Sequence, residues 1–374
     1  MARQFVLFCG VLLAALLAAA TPHAPAPAQA AAAPQAQAPA APVRTTSLPP
    51  SPKAALPAAC PVGGLSMHVP WALGGPRIEP DGRLVEHRGD WPDLPVTGLR
   101  LWDTRTAWLN LEPADDQWQF AHLDALLAKA RSEGVTRITL VLGGTPRWAA
   151  ARVAPTDAPW LGPGSASPPR DLRSWQQYVG VIAARYAGQI NTYEILNEPL
   201  SPAFFNGTPA EWAQLVTVAA REIHTHDPAA DIVASGFILH SHSDLVDTRP
   251  WLAALARESG GELPLTGLSI HWYPNSWSAI AGLGRLAARF RAEAATLGLP
   301  RRIIVTEANA LATRGFPGPH TARAVTGLMA QARLADIDEL TWYAWLDLPS
   351  PTMPLHTGTP AALTLQHCNN RARP

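Results

Sequence analysis

Charge of either sign is scarce in this sequence. Lysine and arginine number 29, aspartate and glutamate also 29, and together they form only 16 % of 374 residues. With no net charge and no basic stripe, the chain lacks the electrostatic footprint of a nucleic-acid binder. Cysteine is scarcer, at three residues, which excludes a disulfide-dense scaffold. Internal repeats are missing. The one glycine-rich stretch, "LGGTPRW" at 142–148, lacks the spacing of a dinucleotide fingerprint. The longest apolar run, Phe5–Ala20, is short of the roughly 20 residues that a membrane span needs.

That run has another reading. It follows a single early arginine, Arg3, and precedes small residues suited to cleavage, the layout of a secretory signal peptide over residues 1–30. Cys9 follows the bulky Leu7 and Phe8, which argues against a lipoprotein site, and an uncleaved N-terminal anchor is the alternative. Residues 31–59 are almost entirely Ala, Pro, Gln, Thr and Ser. Such a stretch buries too little apolar surface to offset the entropy of ordering it, so it reads as a disordered linker. Residues 60–374 then suit one α/β domain. The sequence therefore predicts an exported protein, periplasmic or secreted, acting as a monomer. After signal removal two cysteines remain, Cys60 and Cys368, at the two ends of the domain. In an oxidising compartment they can pair, and in a closed barrel the first and last strands are neighbours; two unpaired thiols are the alternative.

Strand-like runs recur at 64–68, 98–103, 136–142, 192–197, 231–235, 267–271, 302–306 and 340–345. Between most of them lie helical patterns. "FAHLDALLAKARSEG" places Leu123, Leu126, Leu127 and Ala130 on one face and stops at Gly134. "RDLRSWQQYVGVIAARYAG" does the same with Trp175, Tyr178, Val179 and Ile182. "TPAEWAQLVTVAAREIHTHDP" opens with a capping box of Thr208 and Glu211 around Pro209. Further helices fit 249–259, 276–297 and 320–334. The first crossover, 69–96, is rich in Pro and Gly without helical period, so its helix is shortened or lost to a long loop. Eight alternating strands and helices predict a (β/α)₈ barrel, with a doubly wound open sheet as competitor.

Catalytic groups of such barrels come from the carboxyl ends of strands. Those ends offer His68; Arg100 and Asp103; Thr145 and Trp148; Asn197 and Glu198; His240 and His242; His271 and Tyr273; Glu307; and Trp345 and Asp347. "NTYEILNEPL" and "RRIIVTEANA" share one logic: an apolar strand that stops on a carboxylate. Glu198 and Glu307 close the fourth and seventh strands, on opposite sides of an eight-membered ring, so their tips can face one another. Two facing carboxylates are what glycosidic cleavage requires, one to protonate the departing oxygen and one to attack carbon or activate water. The 14 tryptophans, against five tyrosines, add flat faces on which sugars can stack.

"YEILNEP" followed by "IIVTEAN" resembles the clan A glycoside hydrolases. The resemblance extends through "LRLWDTRTAWLNLEP", "ITLVLGGTPRWA", "WQQYVGVIAARYAG" and "TWYAWLD", and is nearest to family 39-like glycosidases, including exopolysaccharide-cleaving members. It implies that Glu198 is the acid/base and Glu307 the nucleophile of a retaining reaction without a cofactor. Asn197 would bond the sugar 2-hydroxyl, Trp345 would lie beneath that sugar, Tyr273 would hold Glu307, and Arg100 would help keep it ionised. Negative charge on Glu307 would in turn raise the pKa of Glu198. The sequence departs from the family pattern at Leu196, where tryptophan is usual, and at Leu200, where a polar residue is.

Other residues carry plainer readings. Glu194 shares strand parity with Glu198 and is expected to form a structural ion pair. His68, His240, His242 and His271 do not have the His-x-His first strand of metal-dependent barrels, so no metal is expected; His68 and His271 read as sugar-facing hydrogen-bonders. Trp148 is a candidate sugar contact, whereas Trp102, Trp108, Trp175 and Trp212 read as packing. The substrate expected is a polysaccharide or oligosaccharide with β-linkages, cut internally. A β-xylosidase-like exo-enzyme and a non-catalytic polysaccharide-binding barrel are the alternatives.

Overall fold

The computed structural model describes residues 65–68, 76–78, 84–86, 97–102, 104–153, 161–239, 244–260, 262–309 and 322–343, with backbone alone for the first three segments and Ala322. The signal and linker segments, Cys60, Cys368, Asp103, His240, His242, Trp345 and Asp347 lie outside these residues, and His68 is described by its backbone. The barrel falls within a compact unit formed by Ala58–Arg77 and Leu84–Pro374.

Ten strands are numbered in chain order: β1 (Leu65–His68), β2 (Pro76–Ile78), β3 (Leu84–Glu86), β4 (Gly98–Leu101), β5 (Arg137–Leu142), β6 (Thr192–Asn197), β7 (Asp231–Ile238), β8 (Gly267–Trp272), β9 (Ile303–Ala308) and β10 (Leu340–Trp342). Eight of them close a parallel barrel, β1 followed by β4 to β10 in order. Closure is explicit in the register: Leu65 of β1 lies opposite Leu340 of β10, and Ser66 lies opposite Gly98 of β4. β2 and β3 form a separate pair within the first crossover, so that segment is not wholly loop as expected.

The helices bury the faces their spacing predicts. Ala121–Ser132 seats Leu123, Leu126, Leu127 and Ala130 in the core and ends ahead of Gly134, whose φ of 80° an L side chain disfavours. Truncating a buried leucine there to alanine removes about 2–5 kcal/mol. Leu172–Arg185 contributes Trp175 and Tyr178, and Trp108 of the short helix Trp108–Leu111 stacks on Tyr178 at 4.9 Å. Pro209–His226 begins with the expected capping box: Thr208 accepts from the Glu211 backbone, and Glu211 from that of Thr208.

Two helices differ from expectation. The stretch 276–297 is two helices, Trp277–Ala281 and Leu283–Thr296, separated at Gly282, which serves as C-cap of one and N-cap of the next. The helix expected from 249 begins earlier, spanning Asp244–Ser259 with Pro250 inside it. Asp244 and Asp247 in its first turn favour that earlier start through the helix dipole.

Backbone irregularities cluster at the carboxyl ends of the strands. Between β8 and β9, Ile270 pairs with Val305 but His271 pairs with Glu307, so Thr306 is one residue in excess. The same excess appears against β10, where Leu340 faces Val305 and Trp342 faces Ala308. β7 carries another between Ala234 and Phe237. On β6, Leu196 and, just beyond the strand, Glu198 have φ of 66° and 44°. Bulges and left-handed residues re-aim side chains that strict alternation would send to opposite faces.

Candidate active site

Arg100, Glu194, Ser269 and Thr306 stand on strands that are mostly not neighbours, yet they bond to one another. Only side chains pointing into the barrel can do this. Glu194 Oε2 accepts from Arg100 Nε at 2.7 Å, and Oε1 accepts from Ser269 Oγ and Thr306 Oγ1, both at 2.8 Å. Burial alone would raise the Glu194 pKa, but the Arg100 guanidinium and His271 outweigh it and lower the value to about 2. The structural ion pair expected of Glu194 is therefore present, with Arg100 as its partner.

Above this layer the guanidinium forks. Arg100 Nη1 donates to Glu307 Oε1 at 2.5 Å, and Nη2 donates to Asn197 Oδ1 at 2.8 Å. Tyr273 OH donates to the other Glu307 oxygen, Oε2, at 2.6 Å. Both oxygens of Glu307 thus accept, which is the hydrogen bonding of a negatively charged carboxylate. Tyr273 is held well above its ordinary pKa by burial, and by Glu307 and Glu198, so it stays a donor.

Glu198 has a different environment. Its Oε1 lies 2.7 Å from His271 Nδ1, and the same nitrogen lies 3.3 Å from Glu307 Oε2. Burial is the largest influence on Glu198 and raises its pKa; His271 opposes the rise and Glu307 adds to it. His271 is fully buried, which by itself would strip its charge, but Glu307, Glu194 and Glu198 together raise its pKa to about 9. Acid and imidazole are both held toward their protonated forms.

One ligand atom from each of Glu198, His271 and Glu307 falls within 4.8 Å of the others. A cation could bridge such a spacing, but Arg100 already places a positive charge on Glu307. The same figure means that an oxygen of Glu198 lies within 4.8 Å of an oxygen of Glu307.

Glu198, Glu307, Asn197, Arg100, His271 and Tyr273, six of the residues singled out in the sequence, therefore meet in one cluster. Trp148 is placed differently: its indole N–H donates to the Glu112 carbonyl at 3.0 Å and its ring meets Trp108 edge-on, so it packs against the second crossover. Trp108, Trp175 and Trp212 are core, as expected. Trp102 is packed as expected too, in a smaller cluster with Ala107, Val141 and Leu161, its ring edge-on to Phe204.

Sequence reasoning missed Ser269, Thr306 and Gly236. Ser269 lies two residues before His271, hence on the same strand face, and that was a usable signal. Thr306 shares the inner face of Ile304, the register partner of Ser269, by plain alternation, and the bulge re-aims Glu307 to the same side. Gly236 is needed because a Cβ there would fall 2.0 Å from His271 Nε2.

No protein family matches the sequence, and no curated protein does. Solved structures do match. A glucosidase from Croceicoccus marinus superposes with a TM-score of 0.59 at 18% identity, over 83% of this chain and 68% of that one. A GH39 β-xylosidase from Caulobacter crescentus gives 0.60 at 16% identity, over 83% and 72%. Xylanase 10B from Thermotoga petrophila, solved with xylobiose, gives 0.51 at 12% identity, over 74% and 86%. At such identities the likeness is one of fold: the chain has the eight-stranded barrel on which these glycosidases are built.

Proposed function

We propose that the protein is a retaining β-glycoside hydrolase in which Glu198 is the acid/base and Glu307 the nucleophile. The observation that carries this reading is the meeting of the two carboxylates, within 4.8 Å oxygen to oxygen, in unlike surroundings. Retaining enzymes hold the pair about 5–5.5 Å apart, whereas inverting ones leave about 6.5–9.5 Å for a water. In the first step Glu198 gives its proton to the departing glycosidic oxygen while Glu307 bonds to the anomeric carbon. In the second, Glu198 takes a proton from water, which displaces Glu307 and restores the starting configuration. The raised pKa of Glu198 keeps its proton available towards neutral pH. In this reading Asn197, whose Oδ1 accepts from Arg100, bonds the 2-hydroxyl as charge develops on the ring.

The substrate in this reading is a β-linked polysaccharide or oligosaccharide, cut internally, by an enzyme exported through the N-terminal segment. An exo-acting β-xylosidase is the second reading, favoured by the similarity in fold to the Caulobacter enzyme. Product analysis on a polysaccharide panel separates the two, since internal cleavage yields mixed oligomers and exo-cleavage yields monomer. NMR of the first-released anomer tests the mechanism: release of the inverted anomer removes the nucleophile role from Glu307. A binder without catalysis would be indifferent to Glu198→Gln and Glu307→Gln, whereas the enzyme loses turnover and keeps affinity.

A further inference from the structure

Beneath the two glutamates lies a third that the reaction above does not use. Glu194 is fully buried on β6, and burying a carboxylate is costly unless it is paired. An apolar side chain suits that layer, as its register partner Val233 on β7 shows. Each of its contacts leads upward. Arg100, gripped at Nε, is a rigid planar fork, so fixing Nε also fixes Nη1 on Glu307 and Nη2 on Asn197. Thr306 immediately precedes Glu307, and its hydroxyl bond pins the bulge that turns Glu307 inward. Ser269 precedes His271 on the same face of β8, and His271 Nε2 itself lies 3.9 Å from Glu194 Oε1.

We propose that Glu194 is a positioning residue for the reaction proposed above: its charge and bonds hold Arg100 behind Glu307 and His271 beside Glu198, so one buried carboxylate acts on both without meeting substrate. The inference rests on the hydrolase reading for its effect on turnover, but its electrostatic part stands independently. Among the described residues, the titratable groups around His271 are Glu194 and Glu198 on the β6 side, Glu307 on β9, Arg100 on β4 and Tyr273 beyond β8. Within that set Glu194 is the carboxylate next to Nε2. Without it, Arg100 and His271 lose the anion that faces them from below.

The test is Glu194→Gln, which keeps the size of the side chain. Its carbonyl can accept from Arg100 Nε, and its amide can donate to the Ser269 and Thr306 hydroxyls, which accept as readily as they donate. Two readouts are taken: the titration of the His271 ring by ¹⁵N NMR, and the pH dependence of kcat/KM on an aryl β-xyloside. In the wild type the ring is expected to titrate above the roughly 6.5 of an ordinary histidine. In E194Q it moves toward acid by about one unit or more. Both limbs of the pH–rate profile move the same way, and kcat falls about tenfold or more with a smaller change in KM. Glu194→Asp, which keeps the charge, returns the limbs toward the wild-type positions.

A folded E194Q protein with unchanged His271 titration and unchanged limbs overturns the proposal and leaves Glu194 a packing residue. If E194Q does not fold, the wild type decides: a His271 ring that titrates at or below the ordinary value overturns it equally. The NMR needs no turnover. A protein that hydrolyses no glycoside, but whose His271 responds to E194Q, would count against the hydrolase and in favour of the anchor.

Discussion

The carboxyl ends of β6 and β9 each bring a glutamate into the barrel mouth, by different backbone means and into different surroundings. β6 does so with left-handed residues, Leu196 and Glu198, which bring Asn197 and Glu198 to the same side although alternation would part them. β9 does so with a bulge at Thr306, which leaves both Thr306 and Glu307 facing inward. At the β9 end both carboxylate oxygens accept from strong donors, Arg100 and Tyr273. At the β6 end the carboxyl group meets His271 and is held toward its protonated form. The lesson is that two identical side chains acquire different surroundings from what donates to them.

The largest effect expected from breaking this contrast is at the β9 end. Under the proposed mechanism Glu307→Gln should lower kcat by roughly 10⁴-fold or more on every substrate, because it removes the group that bonds to carbon. Glu198→Gln should cost about 10²–10⁴-fold on natural glycosides. With a dinitrophenyl leaving group, which needs no proton, its first step should be near normal and intermediate should accumulate as a burst. Equal losses for the two variants on that substrate would erase the distinction between the ends.

Gly236→Ala comes next. The new methyl would fall 2.0 Å from His271 Nε2, so the ring must move away and leave the Glu198 end unsupported. Stopped assays should show about a 10²-fold loss of kcat, the scale of a misplacement of about 1 Å. Tyr273→Phe removes the hydroxyl that donates to Glu307 Oε2 at the β9 end. Removing one bond to a charged group should cost about tenfold in kcat, with little change in the alkaline limb of the pH profile. A shift of that limb would mean that Tyr273 also governs the acid.

The smallest effect lies between the two ends. His271 is raised to about 9, whereas an unfolded histidine titrates near 6.5. A raised value means that protonation favours the folded state. This contribution is fully present below about pH 6.5 and is lost as pH climbs toward 9. The Tm should therefore decline across that window, and His271→Gln should flatten the slope. An unchanged slope would mean that His271 is neutral in the folded protein.

Much of this was legible in the chain. The strands at 98–103, 192–197 and 267–271 coincide closely with β4, β6 and β8, and Thr208 and Glu211 form the cap their spacing promised. Those features are local: period, turn residues and caps act within a few positions. Several strand ends were drawn too short, as at β7, which runs on to Ile238. There Ser235 looks like a turn signal, but in the fold its hydroxyl donates to the Ile195 carbonyl and accepts from Trp212.

The sequence by itself determined the barrel, the helix faces and the placing of Glu198 and Glu307 at strand ends, because hydrophobic period and strand-terminal polar residues are written residue by residue. Only the tertiary structure decided that Asn197 joins Glu198 in the mouth, that Glu307 turns inward beside Thr306, and that Glu194 grips Arg100 below both. Those outcomes depend on register shifts between strands and on donors contributed by β4, β8 and β9, and no stretch of one strand encodes the position of another.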